Sequence, residues 1–199
     1  QPQNREAAAA PAIVDAVILR LSGEPGPFAS RIAFTRREGR NSTIWTTASD
    51  GSDLRRVTGP KSLNILPAWG AGGSSLYFTH LSDKGQHLYL SGTDGGPWKG
   101  ISRRPGSNAG AALSRGAVTL GGTQYKRLLA VALSKDGNTE IYALTPAGKI
   151  VARLTKHWAI DCSPSWSPDG RALTFVSNRG GSPQIYMLSI DDLSVRRLT

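Results

Sequence analysis

A chain of 199 residues with 24 Lys and Arg against 14 Asp and Glu carries a formal net charge of +10. Hydrophobic residues make up 39% and charged residues 19%, which excludes a disordered polybasic chain, while 23 Gly and 12 Pro favour a turn-rich fold over a helical one. A single cysteine excludes an internal disulfide and any Cys-based zinc or iron–sulfur site, and no stretch approaches the roughly 20 apolar residues of a membrane-spanning helix.

Met187 is the only methionine, and no basic head with an apolar run follows Gln1. The expectation is a mature exported protein or a piece of a longer one, without a signal peptide of its own. Residues 1–11 read as a tail. Ile13, Val14, Val17, Ile18 and Leu21 then recur on one helical face, which predicts a helix over Ala12–Leu21. Gly23 stands where a C-terminal cap belongs and Pro25 follows it. A helix this short is marginal alone and needs a packing partner.

Beyond Gly26 the helical period stops. Short runs rich in β-branched and aromatic residues predict strands: Arg31–Thr35, Thr43–Thr46, Ser75–Thr79, His87–Leu90, Leu128–Leu133, Glu140–Leu144, Ala172–Val176 and Gln184–Leu188. Tight-turn signals punctuate them at Asp50-Gly51, Asp94-Gly95, Asp136-Gly137 and Asp169-Gly170.

The strands repeat. The pairs Ile44-Trp45, Leu88-Tyr89, Ile141-Tyr142 and Ile185-Tyr186 succeed one another at steps of 44, 53 and 44 residues. The endings Arg56-Val57-Thr58, Gly100-Ile101-Ser102, Arg153-Leu154-Thr155 and Arg197-Leu198-Thr199 give the same three steps. The odd step predicts a nine-residue insertion in the third unit, placed within Ser114–Gln124 as an enlarged hairpin loop. A period of 44 with several short strands per unit is the signature of β-propeller blades, so the fold class is all-β, a β-propeller with a short N-terminal helix.

No Gly-x-Ser-x-Gly elbow, His-Glu-x-x-His, P-loop or dinucleotide fingerprint occurs, which argues against an enzyme. His80 and His87 flank one loop without a third ligand in view, so no metal is expected. Trp45, Tyr89, Tyr142 and Tyr186 occupy equivalent positions, as do Trp69 and Trp166, and such repetition argues for packing between blades. The arginine pairs at 36–37, 55–56, 103–104 and 196–197 are scattered, and the aromatics that could stack on bases read as buried. Nucleic acid is therefore not expected, and an acidic partner or anionic envelope polymer suits the charge better. Recognition is expected instead on the loops that lead into inner strands, which converge on one mouth of a propeller channel: Lys61–Leu66, Gly106–Gly110 and Ala159–Ser163. The candidate partner-binding residues there are Ser62, Asn64, Ser107, Asn108, Gly110, Asp161 and Cys162.

Ser-Pro-Asp-Gly at 167–170, Ile-Tyr at 185–186 and Arg-Leu-Thr at 197–199 resemble the WD40-like blades of the TolB family. Leu21-Ser-Gly23, Gly26-Pro-Phe28, Arg31-Ile-Ala-Phe34 and Leu66-Pro-Ala-Trp69 are similar to that family's entrance into its propeller, so the likeness covers residues 13–199. Gly70-Ala-Gly-Gly73 and Leu113-Ser-Arg-Gly116 depart from it at turns. The resemblance implies a tail and linker helix over 1–27 from a missing N-terminal α/β domain. It also implies the first four blades of a six-bladed propeller, at about 28–60, 61–104, 105–156 and 157–199.

The same resemblance implies a non-enzymatic periplasmic scaffold of the Tol–Pal system, tied to outer-membrane integrity and cell division. Its implied partners are the Pal lipoprotein and other Tol proteins, with no cofactor and no membrane insertion. The family's Pal-docking positions fall on Ser107, Gly110 and Cys162, where His, Ala and Thr are common, while Asn108 agrees. Two alternatives stand beside it: the regulatory propeller of a serine peptidase, and a structural or ligand-binding propeller unrelated to Tol. Four blades without closure would leave open sheet edges and promote self-association.

Overall fold

The computed structural model describes residues 3–24 and 26–199. Helix α1 runs over Gln3–Ser22, so the expected tail is helical from residue 3, and only Gln1 and Pro2 of that tail lie outside the described residues. The run Ala7–Ala10 carries the strongest helix former, which extends the helix ahead of Pro11. Gly23 closes it in the left-handed region, φ +75°, and donates its N–H to the Leu19 carbonyl at 2.9 Å. The apolar face is helical as expected, but among the described residues nothing covers it: Ile13, Val17 and Leu21 stand exposed.

One residue ties α1 to the segment that enters the first sheet. The Asp15 carboxylate accepts the backbone N–H of Phe28 at 2.9 Å and of Ala29 at 2.6 Å. Gly26 allows this approach, since a Cβ there would lie 2.0 Å from Asp15 Oδ1. Asp15→Ala should therefore release the helix without unfolding the sheets. Limited proteolysis should cut faster between residues 20 and 30 while the thermal midpoint stays unchanged; unaltered cleavage would show that the tether carries no weight.

Four antiparallel sheets succeed the helix in chain order. The first holds β1 (Arg31–Glu38), β2 (Asn41–Ala48) and β3 (Arg55–Arg56). The second holds β4 (Asn64–Trp69), β5 (Ser75–Ser82), β6 (Gly85–Gly92) and β7 (Lys99–Ser102). The third begins with β8 (Asn108–Leu113), is interrupted by a hairpin of β9 (Val118–Leu120) and β10 (Thr123–Tyr125), and continues with β11 (Leu129–Leu133), β12 (Glu140–Leu144) and β13 (Ile150–Arg153). The fourth holds β14 (Asp161–Trp166), β15 (Ala172–Ser177), β16 (Gln184–Ser189) and β17 (Val195–Arg197).

Sheets two to four are four-stranded blades, each led by an inner strand. The first blade has three strands. Counting one period back from β4 reaches residue 20, where the chain is finishing α1 and no inner strand is formed among the described residues up to 24. The insertion lies where the repeat arithmetic put it. It turns on Gly121 and Gly122, both with positive φ, and buries Val118 and Leu120 among Leu173, Leu188 and Ile190 of the fourth blade. Gly170 meets it so closely that a Cβ would sit 2.9 Å from the Ala117 carbonyl oxygen.

The repeated endings have a physical cause. Thr58, Thr155 and Thr199 each accept the N–H of the isoleucine fourteen residues earlier, Ile44, Ile141 and Ile185, all at 2.9 Å. A hydroxyl at that position pins the last strand of a blade to the one before it. Cores lie between neighbouring blades. Ile44, Val57, Leu76 and Phe78 join blades one and two, and Tyr77, Leu88, Val131, Leu133 and Tyr142 join two and three. Ala130, Ile141, Leu173 and Phe175 join three and four. Tyr89 lies in the first of these seams, Tyr142 in the second and Tyr186 in the third, the packing role that their repetition implied, whereas Trp45 lies in none of them and is covered by the guanidinium groups of Arg36 and Arg56 at 5.0 and 5.9 Å.

Candidate functional site: the loop end of the inner strands

The inner strands β4, β8 and β14 start alike, with a buried polar residue, and two positions later each bulges. Leu66, Gly110 and Ser163 all take left-handed backbone, at φ +55°, +59° and +52°, and the strand pairing slips beside each of them. Glycine adopts this conformation freely, whereas at Leu66 and Ser163 it is strained and must be held by the surrounding sheet. The three bulges meet where the blades converge. Together with Pro67, Ala111 and Pro164 they line a cleft of about 160 Å³.

The loops leading to these bulges are tied down. Ser62 donates its hydroxyl to the Gly59 carbonyl at 2.7 Å and accepts from Asn64 Nδ2 at 2.9 Å. Because Asn64 donates there, its Oδ1 faces the His80 Nδ1–H at 2.8 Å. Burial, with the neighbouring His87 as the second cause, holds the His80 imidazole below its usual range. His80 and His87 are directly opposed on β5 and β6. Among the described residues, no group of three or more His, Cys, Asp or Glu comes together to hold a metal ion.

In the next loop Ser107 Oγ reaches Gln86 Oε1, and the Ser107 N–H donates to Ser134 Oγ, both at 2.7 Å. Asn108 Nδ2 donates to the carbonyls of Arg104, Gly106 and Gln86, while its Oδ1 accepts the Arg104 N–H at 3.1 Å. In the last loop Asp161 accepts Arg179 Nη2 at 2.8 Å. That guanidinium also covers the rings of Phe175 and Tyr186 at 5.2 and 5.1 Å.

Seven residues were expected to share one contact surface, and the structure divides them. Asn64, Asn108 and Asp161 are fully buried, so their side chains cannot touch a partner. The amides of Asn64 and Asn108 are spent inside the loops, whereas Asp161 pairs one carboxylate oxygen with Arg179 and leaves Oδ1 without a partner among the described residues. Ser62, Ser107, Gly110 and Cys162 are half-buried and reach the surface.

Sequence reasoning missed the residues that shape the last loop. Glu140 is fully buried and accepts Arg153 Nη2 at 2.9 Å, Thr155 Oγ1 at 2.7 Å and the His157 N–H at 2.7 Å. Asn138 Nδ2 donates to the carbonyls of His157 and Ala159, and Ile160 N–H donates to Asn178 Oδ1 at 2.9 Å. Beside them, Asp136 accepts the Tyr142 hydroxyl at 2.6 Å. Burial first, and that bond second, push the Tyr142 phenol up to about 12. Trp158 stands out of this loop. The one sequence signal for it was its place outside the repeated aromatic positions.

Comparison with known proteins adds four findings. A family model described as the TolB beta propeller domain matches residues 19–199. The chain is 31% identical to a Protein TolB homolog of Chlorobium luteolum over 170 residues, 85% of this chain and 36% of that protein. It is 36% identical over 144 residues to the Tol-Pal system protein TolB of Desulfosudis oleivorans, 71% of this chain and 30% of that one. Among solved structures, TolB from Acinetobacter baumannii superposes with a TM-score of 0.73 at 29% identity, covering 96% of this chain and 47% of its own. The chain thus spans about a third of the length of these curated relatives.

Proposed function

The chain belongs to the TolB β-propeller family, and from that premise we propose that it works in the periplasm as a non-catalytic docking platform of the Tol–Pal system. On this reading it receives a Pal-like lipoprotein, and contacts other Tol proteins, on the loop end of its inner strands. One observation carries the reading. Three loops from three successive blades are each locked by internal hydrogen bonds and open onto a shared cleft between the bulges at Leu66, Gly110 and Ser163. Rigid loops lose little freedom when a partner docks, so modest contacts suffice for binding.

The roles divide by depth. Ser62, Ser107, Gly110 and Cys162 offer the contact surface. Asn64, Asn108 and Asp161 fix loop shape from below. No bond is made or broken: recognition rests on shape, hydrogen bonding and apolar contact. The unit boundaries that suit this reading are a linker over 1–27 and blades at 28–60, 61–104, 105–156 and 157–199.

The test is calorimetric titration with the purified soluble domain of a Pal-like lipoprotein from the same organism. Binding is expected, weakened about tenfold or more by Ser107→Trp combined with Cys162→Arg. Asp94→Ala, at the opposite end of the blades, should leave it unchanged. Absence of binding, or equal loss from both variants, would overturn the docking face.

A further inference from the structure

Trp158 is 75% exposed and Ile160, two residues on, 52% exposed. A tryptophan in water forgoes a large apolar burial, and here it does so from a fixed stage. The flanking backbone is bonded on both sides: His157 N–H to Glu140, Ala159 N–H to His157 Nδ1 at 3.1 Å, and Ile160 N–H to Asn178. The His157 ring lies against the indole, centroids 5.1 Å apart. The side chain is thus presented ready to be covered, as anchors at protein interfaces are.

Charge says what covers it. The segments that run up to the inner strands, residues 57–63, 103–107 and 154–160, hold no carboxylate ahead of the buried Asp161, and each offers one exposed base: Lys61, Arg103 and Lys156. The loops between the last two strands of each blade lie at the other end, where Thr93 and Ile190 bond back to Ser74 and Arg171. Those of the first, second and fourth blades carry Asp50, Asp53, Asp94, Asp191 and Asp192, while that of the third carries Lys149. The hairpin turns β1–β2, β5–β6, β11–β12 and β15–β16 share the Trp158 end and bring Glu38, Asp83 and Asp136 against Arg40, Lys84, Lys135 and Arg179, so that end is cationic on balance.

We infer that Trp158 and Ile160 form the apolar anchor for an acidic protein segment, which Lys61, Arg103 and Lys156 hold electrostatically. This rests on the docking face proposed above and names the chemistry of what docks there. An exposed tryptophan at a basic end also suits an anionic bilayer. The cleft walled by Leu66, Gly110 and Ser163, the last of them three residues along the chain from Ile160, fits a single side chain and not a flat lipid surface, so a protein segment is favoured.

The test uses the whole chain and short fluorescein-labelled peptides read by anisotropy at low salt. One peptide is rich in Asp and Glu with interspersed Leu and Phe. A second replaces the acids with Lys, and a third replaces the apolar residues with Ser. Phosphatidylglycerol vesicles are run in parallel. The first peptide alone should bind. Trp158→Ala and the double change Lys61→Glu/Lys156→Glu should each weaken it about tenfold or more, whereas Arg171→Glu at the far end should not. Trp158 is exposed, so its loss should leave thermal stability unchanged, which separates lost contact from lost fold. Equal binding of acidic and basic peptides, indifference to Trp158→Ala, or Trp158-dependent binding to vesicles alone would each overturn the inference. Pal-domain binding that survives Trp158→Ala but not the Ser107 and Cys162 changes would leave the docking face standing and remove this inference only.

Discussion

Glu140→Ala is expected to destabilise the protein by about 3–5 kcal/mol, the cost of breaking a buried ion pair from one side. Glu140 is fully buried and its partners cannot re-pair: Arg153 loses its carboxylate, and Thr155 and the His157 N–H lose their acceptor. The loss is also directed. Thr155 holds the end of the third blade through Ile141, and His157 begins the loop that displays Trp158. Urea unfolding should show a lower midpoint, and hydrogen exchange should rise first across residues 154–160. Glu140→Gln keeps one acceptor oxygen and should lose clearly less. A drop of under about 1 kcal/mol for the alanine variant, typical of an exposed pair, would show that this network is not structural.

Phe78→Ala is expected to cost a similar amount, about 3–5 kcal/mol, through the cavity it leaves. Phe78 is fully buried between blades one and two, with the Trp98 ring edge-on at 5.0 Å and Tyr89 stacked at 6.3 Å. That seam has four buried apolar residues, Ile44, Val57, Leu76 and Phe78, and the first blade has three strands to hold it. Neighbour contacts carry stability in repeat architectures, so the damage should stay local. Amides of β1 and β2 should exchange faster than those of β11 and β12, which are fully buried along their length. Uniform acceleration across all blades would show instead a single cooperative unit.

The blade repeat was legible because equivalent residues meet equivalent neighbours. A threonine that caps an isoleucine fourteen residues earlier recurs in three blades, and the same spacing had to surface in the sequence. The insertion was legible as a surplus of residues punctuated by glycines. Two other features were not. Residues 20–24 carry no mark that an inner strand is missing, because the first blade's remaining strands read the same with or without it. The segment at residues 3–11 is helical through its alanine run, whose propensity shows only once there is a helix for it to extend.

The site was half legible. Its loops could be placed from the repeat, but depth could not. Asn64, Asn108 and Asp161 are polar residues beside turns, the pattern of surface chemistry, yet Asn64 and Asn108 are buried where they satisfy the loops that cover them, and Asp161 is buried against Arg179. Glu140 lay in a predicted strand and its loop partners Thr155 and His157 lay fifteen or more residues away, so no local pattern joined them.

The hairpin of β9 and β10 gives the fan of blades an uneven compliance. By reaching from the third blade onto the fourth it rivets that seam from the side, whereas the seam between the first two blades has no such brace. Under tension the third and fourth blades would move as one stiff plate while the first hinges away. The surface assembled from β8 and β14 would then keep its shape under load longer than the part contributed by β4.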